Sequence, residues 1–167
     1  GTFLSNQYGY LDSADSDGFT AIAGTNTGGY VNDSGSTYVA WNWLAGGSGS
    51  SIAAGSVDGT NPTIASTVSA NPTAGFSIVS CTGTGSQGTI AHNLGVAPSF
   101  VIMMNRDNSS SSPLAWHSAL GLSHTTYPNW LYLNLTVLEQ TSVNAANHLF
   151  YQVPDSSFLY FNTATSE

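Results

Sequence analysis

Between Asn129 and Val137 the chain reads NWLYLNLTV, and its apolar residues return at every second position. Trp130, Tyr132, Asn134 and Thr136 fall on one face of an extended segment, and Leu131, Leu133, Leu135 and Val137 on the other. A helix needs a 3.6-residue return, and no long window of this sequence supplies one. The same short, aromatic and β-branched character recurs in GFTAIA (18–23), TYVAWNWLA (37–45), GFSIVSCTG (75–83), SFVIMMN (99–105) and SFLYFNT (157–163). Gly, Asn, Ser and Asp clusters bound each run. The pattern predicts an all-β fold, an antiparallel β-sandwich or jelly-roll-like unit, with the Leu/Val face of 129–137 in its core. The one helix candidate is short, Leu138 to Ala146.

Residues 46–74 differ in being small, polar and punctuated by Gly and Pro, and they read as a linker or crossing segment. They divide the chain into a short N-terminal part, 1–45, and a longer C-terminal part, 75–167. A faint internal repeat crosses that division. VNDSGSTY (31–38) and VPDSSFLY (153–160) share Val31/Val153, Asp33/Asp155, Ser34/Ser156 and Tyr38/Tyr160 without gaps, as if one turn-then-strand element served two related units.

Charge narrows the partners. Of 167 residues only 6% are charged, the net charge is -8, and Arg106 is the sole basic side chain besides the histidines. Typical domains carry about 25% charged residues. Neutralising several phosphates takes several Lys or Arg, so no nucleic-acid partner is expected, nor an anionic membrane. No apolar run is long enough to insert in a membrane as a helix. A surface of Ser, Thr, Asn and Gly fits an extracellular or virion protein better than a cytoplasmic enzyme. No signal-peptide pattern is visible, and a start at Gly-Thr leads us to expect a processed, trimmed or partial chain. Cys81 is alone, which leaves no intrachain disulfide and no Cys-based metal site; it reads as a small strand residue.

Gly83, Gly85 and Gly88 have the G-x-G-x-x-G spacing of a dinucleotide fingerprint, and a strand-like segment precedes them. The chemistry needs a helix starting within the glycines, whose amides hold the pyrophosphate. Here Gly95 and Pro98 interrupt the following ten residues, too few for a crossover helix, and proline in a helix interior costs about 3 kcal/mol. The glycines are therefore expected to be turn residues of an antiparallel sheet, and no cofactor is expected.

The segment GFSIVSCTGTGSQGTIAHNLGVAPSFVIMMNRD, with SDGF (16–19), VNDSGSTYVAWNWLAGG (31–47) and STVSANPTAGFSIV (66–79) before it, resembles a recurring portion of bacteriophage virion proteins, notably of marine and cyanobacterial phages. The likeness covers about two thirds of the chain and is strongest over 16–47 and 66–106. Cys81 stands where those proteins usually have Tyr, Asn93 where they have Gly, and Met104 where they have Lys. The resemblance implies an exposed virion structural protein, part of a tail fibre, spike or capsid appendage built of repeated β-sandwich units, some lectin-like, with 1–45 the C-terminal strands of a first unit and 75–167 most of a second. It implies self-association, with a trimer expected, contact with other virion proteins, and possible adhesion to a host-surface glycan. It implies no catalytic residues.

Site candidates are few. Trp116, Tyr127 and Trp130 lie in the loop-like WHS and TTYPNW and are the aromatic candidates for a glycan site. Val39, Trp41 and Trp43 share a face, and a Trp pair at that spacing fits a core or subunit interface better than a ligand platform. DSADSDG (12–18) offers Asp12, Asp15 and Asp17 as a weak Ca²⁺ site, but Asn26 stands where a calcium loop counted from Asp15 needs its twelfth, acidic ligand. A turn into the next strand fits that stretch better. His92, in the AHNLG turn, is either a metal ligand on a symmetry axis or, more simply, a turn histidine bonded to backbone. His117, His124 and His148 lack metal-site spacing. G-x-S-x-G is absent. Asp107, Glu139, Asp155 and Glu167 lie mostly in loops, so a polysaccharide-degrading enzyme with a convergent carboxylate pair remains a remote alternative. Asn32, Asn108 and Asn134 head sequons of the kind a chain rich in Asn, Ser and Thr forms by chance.

Overall fold

A computed structural model describes residues 7–25, 31–108, 110–123, 127–137, 139–140 and 149–162. No helix occurs among them, and every strand pairing is antiparallel. The chain divides into two compact units, Gly1–Asn42 and Trp43–Glu167.

The first unit holds one hairpin, β1 (Tyr10–Asp15) and β2 (Gly18–Ile22). Asp15 opposes Gly18, so Ser16 and Asp17 alone make the turn. The register slips between Leu11 and Ser13, which makes Asp12 the extra residue of a β-bulge.

In the second unit, β3 (Ser50–Ile52), β4 (Ser66–Asn71) and β5 (Phe76–Cys81) form a sheet with β4 in the middle. The β4–β5 register runs unbroken from Ser66↔Cys81 to Asn71↔Phe76. Residues 46–74, linker-like in composition, thus contain β3 and β4. Small side chains there are what lets backbone pack against backbone: Thr63 and Thr89 exchange amide-to-hydroxyl bonds at 2.9 Å each way, and the Ile64 amide donates to the Thr89 carbonyl at 3.1 Å. Ile64, Ser66 and Val68 are buried.

β6 (Gly88–Ala91) is buried along its whole length and pairs with β12 (Phe158–Phe161). A second three-stranded sheet places β8 (Leu114–His117) between β7 (Phe100–Met103) and β11 (Leu131–Tyr132). A short pair, β9 (Leu122–Ser123) with β10 (Tyr127–Pro128), completes the described strands. The main core draws Trp116 from β8 and Leu159 from β12, together with Trp130, Leu149 and Phe150. Val101, Met103, Leu114 and Phe161 pack around it. Side chains of the β7–β8–β11 sheet and of the β6–β12 pair thus meet in one apolar layer, a sandwich-like arrangement.

Three expectations are corrected. The run 129–137 is a strand only at Leu131–Tyr132, and the chain turns at 133–135. Its Leu/Val face is not core: Leu133, Leu135 and Val137 are about half exposed, whereas Trp130 is 7% exposed. The Trp side chain offers the larger apolar area, and seating it in the core turns the alternate positions outward. TYVAWNWLA forms no strand and leaves Trp41 73% exposed. Alternation makes a strand only where a neighbouring strand supplies the hydrogen bonds, and among the described residues no strand pairs with this run, although the Asn71 side-chain amide donates to the Leu44 carbonyl at 3.2 Å. The proposed helix 138–146 falls outside the described residues, except for Glu139 and Gln140; Gln140 is bridged to Trp130.

Glycine spacing resolves as turn and packing. Gly85 is left-handed, at φ +71°. A Cβ on Gly88 would stand 2.6 Å from Ile64 Cδ1 and 2.9 Å from Thr63 Oγ1. The chain continues from Gly88 as strand β6. Asn93 is left-handed too, at φ +55°, in a conformation that Gly and Asn tolerate.

Candidate functional site

The predicted aromatic platform does not assemble. Trp116 is 3% exposed and Trp130 7% exposed. Trp116 meets Phe150 edge-to-face at 5.9 Å. Their rings are the centre of the core, so neither presents a face to a sugar; this corrects the expectation of a loop-borne pair. The physical reason is area: burying rings of this size is the largest apolar gain available to the unit. Tyr127 is half-buried in β10.

Asp12, Asp15 and Asp17 are not gathered either. The hairpin spreads them over a bulge, a strand end and a turn. Both oxygens of Asp15 accept hydroxyl bonds, from Ser13 Oγ and Thr20 Oγ1, each at 3.0 Å. Among the described residues no group of three His, Cys, Asp or Glu side chains is placed to hold a metal ion. His124, His148 and Glu167 lie outside the described residues.

What the fold does bring together is a network missing from the sequence reading: His92 at the end of β6, Asp155 before β12, and Tyr160 within it. The β6–β12 register sets Phe158 opposite Ala91 and so delivers Asp155 to the His92 turn. His92 is 2% exposed. The Leu94 amide donates to its Nδ1 at 3.2 Å, which fixes Nδ1 as the acceptor. Nε2–H then donates to the Asp155 carbonyl at 3.0 Å. Burial holds the imidazole below its ordinary pKa, against the opposing pull of the Asp155 carbonyl and charge. With both nitrogens engaged and the ring buried, His92 has no lone pair left for a metal on a symmetry axis.

Asp155 is a turn organiser. Its Oδ1 accepts the Ser157 and Phe158 amides at 2.7 and 2.8 Å, and its Oδ2 accepts the Tyr160 hydroxyl. Burial alone would raise its pKa, but the bonds from Tyr160, Ser157 and Phe158 outweigh it and hold the carboxyl below the usual range. Burial, then the bond to Asp155, pushes the Tyr160 phenol up to about 12. Tyr151 packs edge-on against Tyr160 at 5.6 Å.

The signal for this network was in the repeat. In VNDSGSTY the Asp33 amide donates to the Tyr38 hydroxyl at 2.9 Å. In VPDSSFLY the Tyr160 hydroxyl donates to the Asp155 carboxylate. In both copies the matched Tyr folds back onto the matched Asp five residues earlier, although the polarity of the bond differs. In the second copy the bond closes the turn between Asp155 and β12.

The described surface is instead notable for apolar exposure. Val39 is 69% exposed in the first unit; in the second, Trp43 is 58% and Leu44 76% exposed. Trp43 stacks on Phe76 of β5 at 5.5 Å and 9°. Ile78 stands 53% exposed on the same strand. A family model described as a domain of unknown function (DUF7483) matches residues 3–166. No curated protein and no solved structure matches the chain.

Proposed function

The chain belongs to the DUF7483 family, and from its surface chemistry we propose that it is a non-catalytic virion structural protein, a segment of a phage tail fibre, spike or other capsid appendage. It works by self-association and by contact with other virion proteins on the particle exterior. One observation carries the reading: large apolar side chains stand exposed on a chain with almost no cations. Trp41 is 73%, Trp43 58% and Leu44 76% exposed, while one Arg and no Lys leave little for intermolecular ion pairs. Apolar exposure of this kind marks surfaces that are covered in an assembly. The resemblance of 16–47 and 66–106 to phage virion proteins supplies the setting and the expectation of a trimer.

Analytical ultracentrifugation of the chain tests the reading. A defined homo-oligomer is expected, and a monomer at all accessible concentrations sinks it. Immunogold labelling of particles that carry the protein is expected to decorate an external appendage.

Host-surface adhesion through glycan is the second reading, favoured by the exposed Trp43, which stacks on the half-buried Phe76. With Trp116 and Trp130 in the core, Trp43 is an exposed Trp already held by a ring partner. On a glycan array, Trp43→Ala is expected to abolish binding that the unaltered chain shows; an unaltered chain that binds no glycan removes this reading.

A further inference from the structure

We propose that β5 is a self-pairing edge, and that two copies of the chain join β5 to β5 across a two-fold axis into one continuous antiparallel sheet. The inference rests on the self-association proposed above and names the surface that performs it.

Sheet edges are normally guarded by charge, proline, a bulge or very short length. The hairpin β1–β2 shows such guards, with a bulge at Asp12 and the carboxylates of Asp12, Asp15 and Asp17. β5 shows none. It is six residues long, its register with β4 is unbroken, and it contains neither proline nor a charged side chain. No residue between Asp58 and Arg106 carries a formal charge. β4 covers one side of β5, and no strand pairs with the other among the described residues. Ile78, in mid-strand, is 53% exposed.

Charge selects the occupant. Two copies at -8 each repel wherever their carboxylates face. They approach at least cost along this neutral stretch. An antiparallel strand is also its own complement under a two-fold rotation, so the interface is isologous and needs no other chain. Residues opposed in an antiparallel pair share a sheet face. Centring the axis on Ile78 places the two Ile78 side chains together and sets Phe76 opposite Ser80 of the second copy. The exposed isoleucines then cover one another, flanked by the Trp43–Phe76 stacks.

The contact requires an even number of copies: two, or six where it joins a pair of trimers. Ultracentrifugation of the full chain is expected to give an even copy number. Ile78→Glu is expected to halve it, and Ser80→Glu, a milder change at an exposed position, to weaken association at least tenfold. Circular dichroism of each variant checks that the sheet is retained. Ile78→Cys in a Cys81→Ser background is expected to form a covalent dimer on mild oxidation, because the axis brings the two thiols together. Val57→Cys in the same background, exposed and outside the strand, is expected to form none. An odd oligomer, or an even one indifferent to Ile78→Glu and without the Ile78→Cys dimer, overturns the β5 contact while leaving self-assembly intact. A monomer overturns both.

Discussion

His92 is held neutral by geometry: a proton on Nδ1 would face the Leu94 amide, which already donates to it. Its folded-state pKa lies below the ordinary 6.5, so the unfolded chain takes up the proton first as pH falls. Stability is therefore lost below about pH 6.5. Asp155, held below 3.8, adds a second loss at lower pH, as its bonds from Tyr160, Ser157 and Phe158 are broken by protonation. Tyr160 acts at the other end. Its phenol ionises at about 12 when folded against 10 when free, so stability declines as pH rises through that interval. Burial raises Cys81 and Tyr151 in the same sense. Urea midpoints are expected to form a plateau between about pH 6.5 and about pH 9 and to fall on both sides. In His92→Gln the drop between about pH 7.5 and about pH 5.5 is expected to disappear. An equal drop in both chains would assign it to another group.

At the scale of elements, β6 is the strand on which the second unit turns. It pairs with β12, receives residues 61–64 through Thr89, and sends His92 to Asp155. Gly88 at its start has no room for a side chain, since Ile64 is only 6% exposed and cannot swing away. Gly88→Ala is expected to destabilise by about 1–3 kcal/mol, the cost of overpacking. A Cβ on Gly83 meets nothing within 4 Å, and Gly83→Ala is expected to stay within about 0.5 kcal/mol. Urea denaturation of the two variants checks the contrast. A dinucleotide fingerprint would demand both glycines for the same ligand; packing demands one. The run 129–137 carries the matching lesson. Its alternation was visible, but which half of it faces inward depended on the pocket formed by Phe150, Leu149 and Leu159, which come from elsewhere in the chain.

For the whole molecule the dominant electrostatic fact is self-repulsion. With nine acidic residues and one Arg, added salt screens more repulsion than attraction. Raising salt from about 0.02 M to about 0.5 M is expected to raise the thermal midpoint and to tighten self-association, the reverse of a protein held by ion pairs. Calorimetry and sedimentation at the two salt concentrations check this. A lower midpoint at high salt would mean that Arg106 or the N-terminus makes ion pairs that matter more than the net charge.

The all-β, antiparallel class was legible from the sequence because period-two alternation and Gly/Asn/Pro punctuation are local properties. β2, β5, β7 and β12 lie within runs recognised from that pattern. That the chain leaves Gly88 as a strand and not as a helix was equally local, since Gly95 and Pro98 leave no length for a helix. The repeated Asp and Tyr of 31–38 and 153–160 were visible as letters, though not as bonds. Tertiary structure alone decided the rest. It put Trp116 and Trp130 in the core, where sequence had read loop aromatics, and left Trp41 and Trp43 outside. It brought His92 to Asp155 across 63 residues. It made strands of the linker-like 46–74 and none of 37–45. The physical reason is common to all four. A strand, a buried ring and a hydrogen-bonded histidine each need a partner supplied by another part of the chain, and a sequence read in order does not say which distant segment will be beside it.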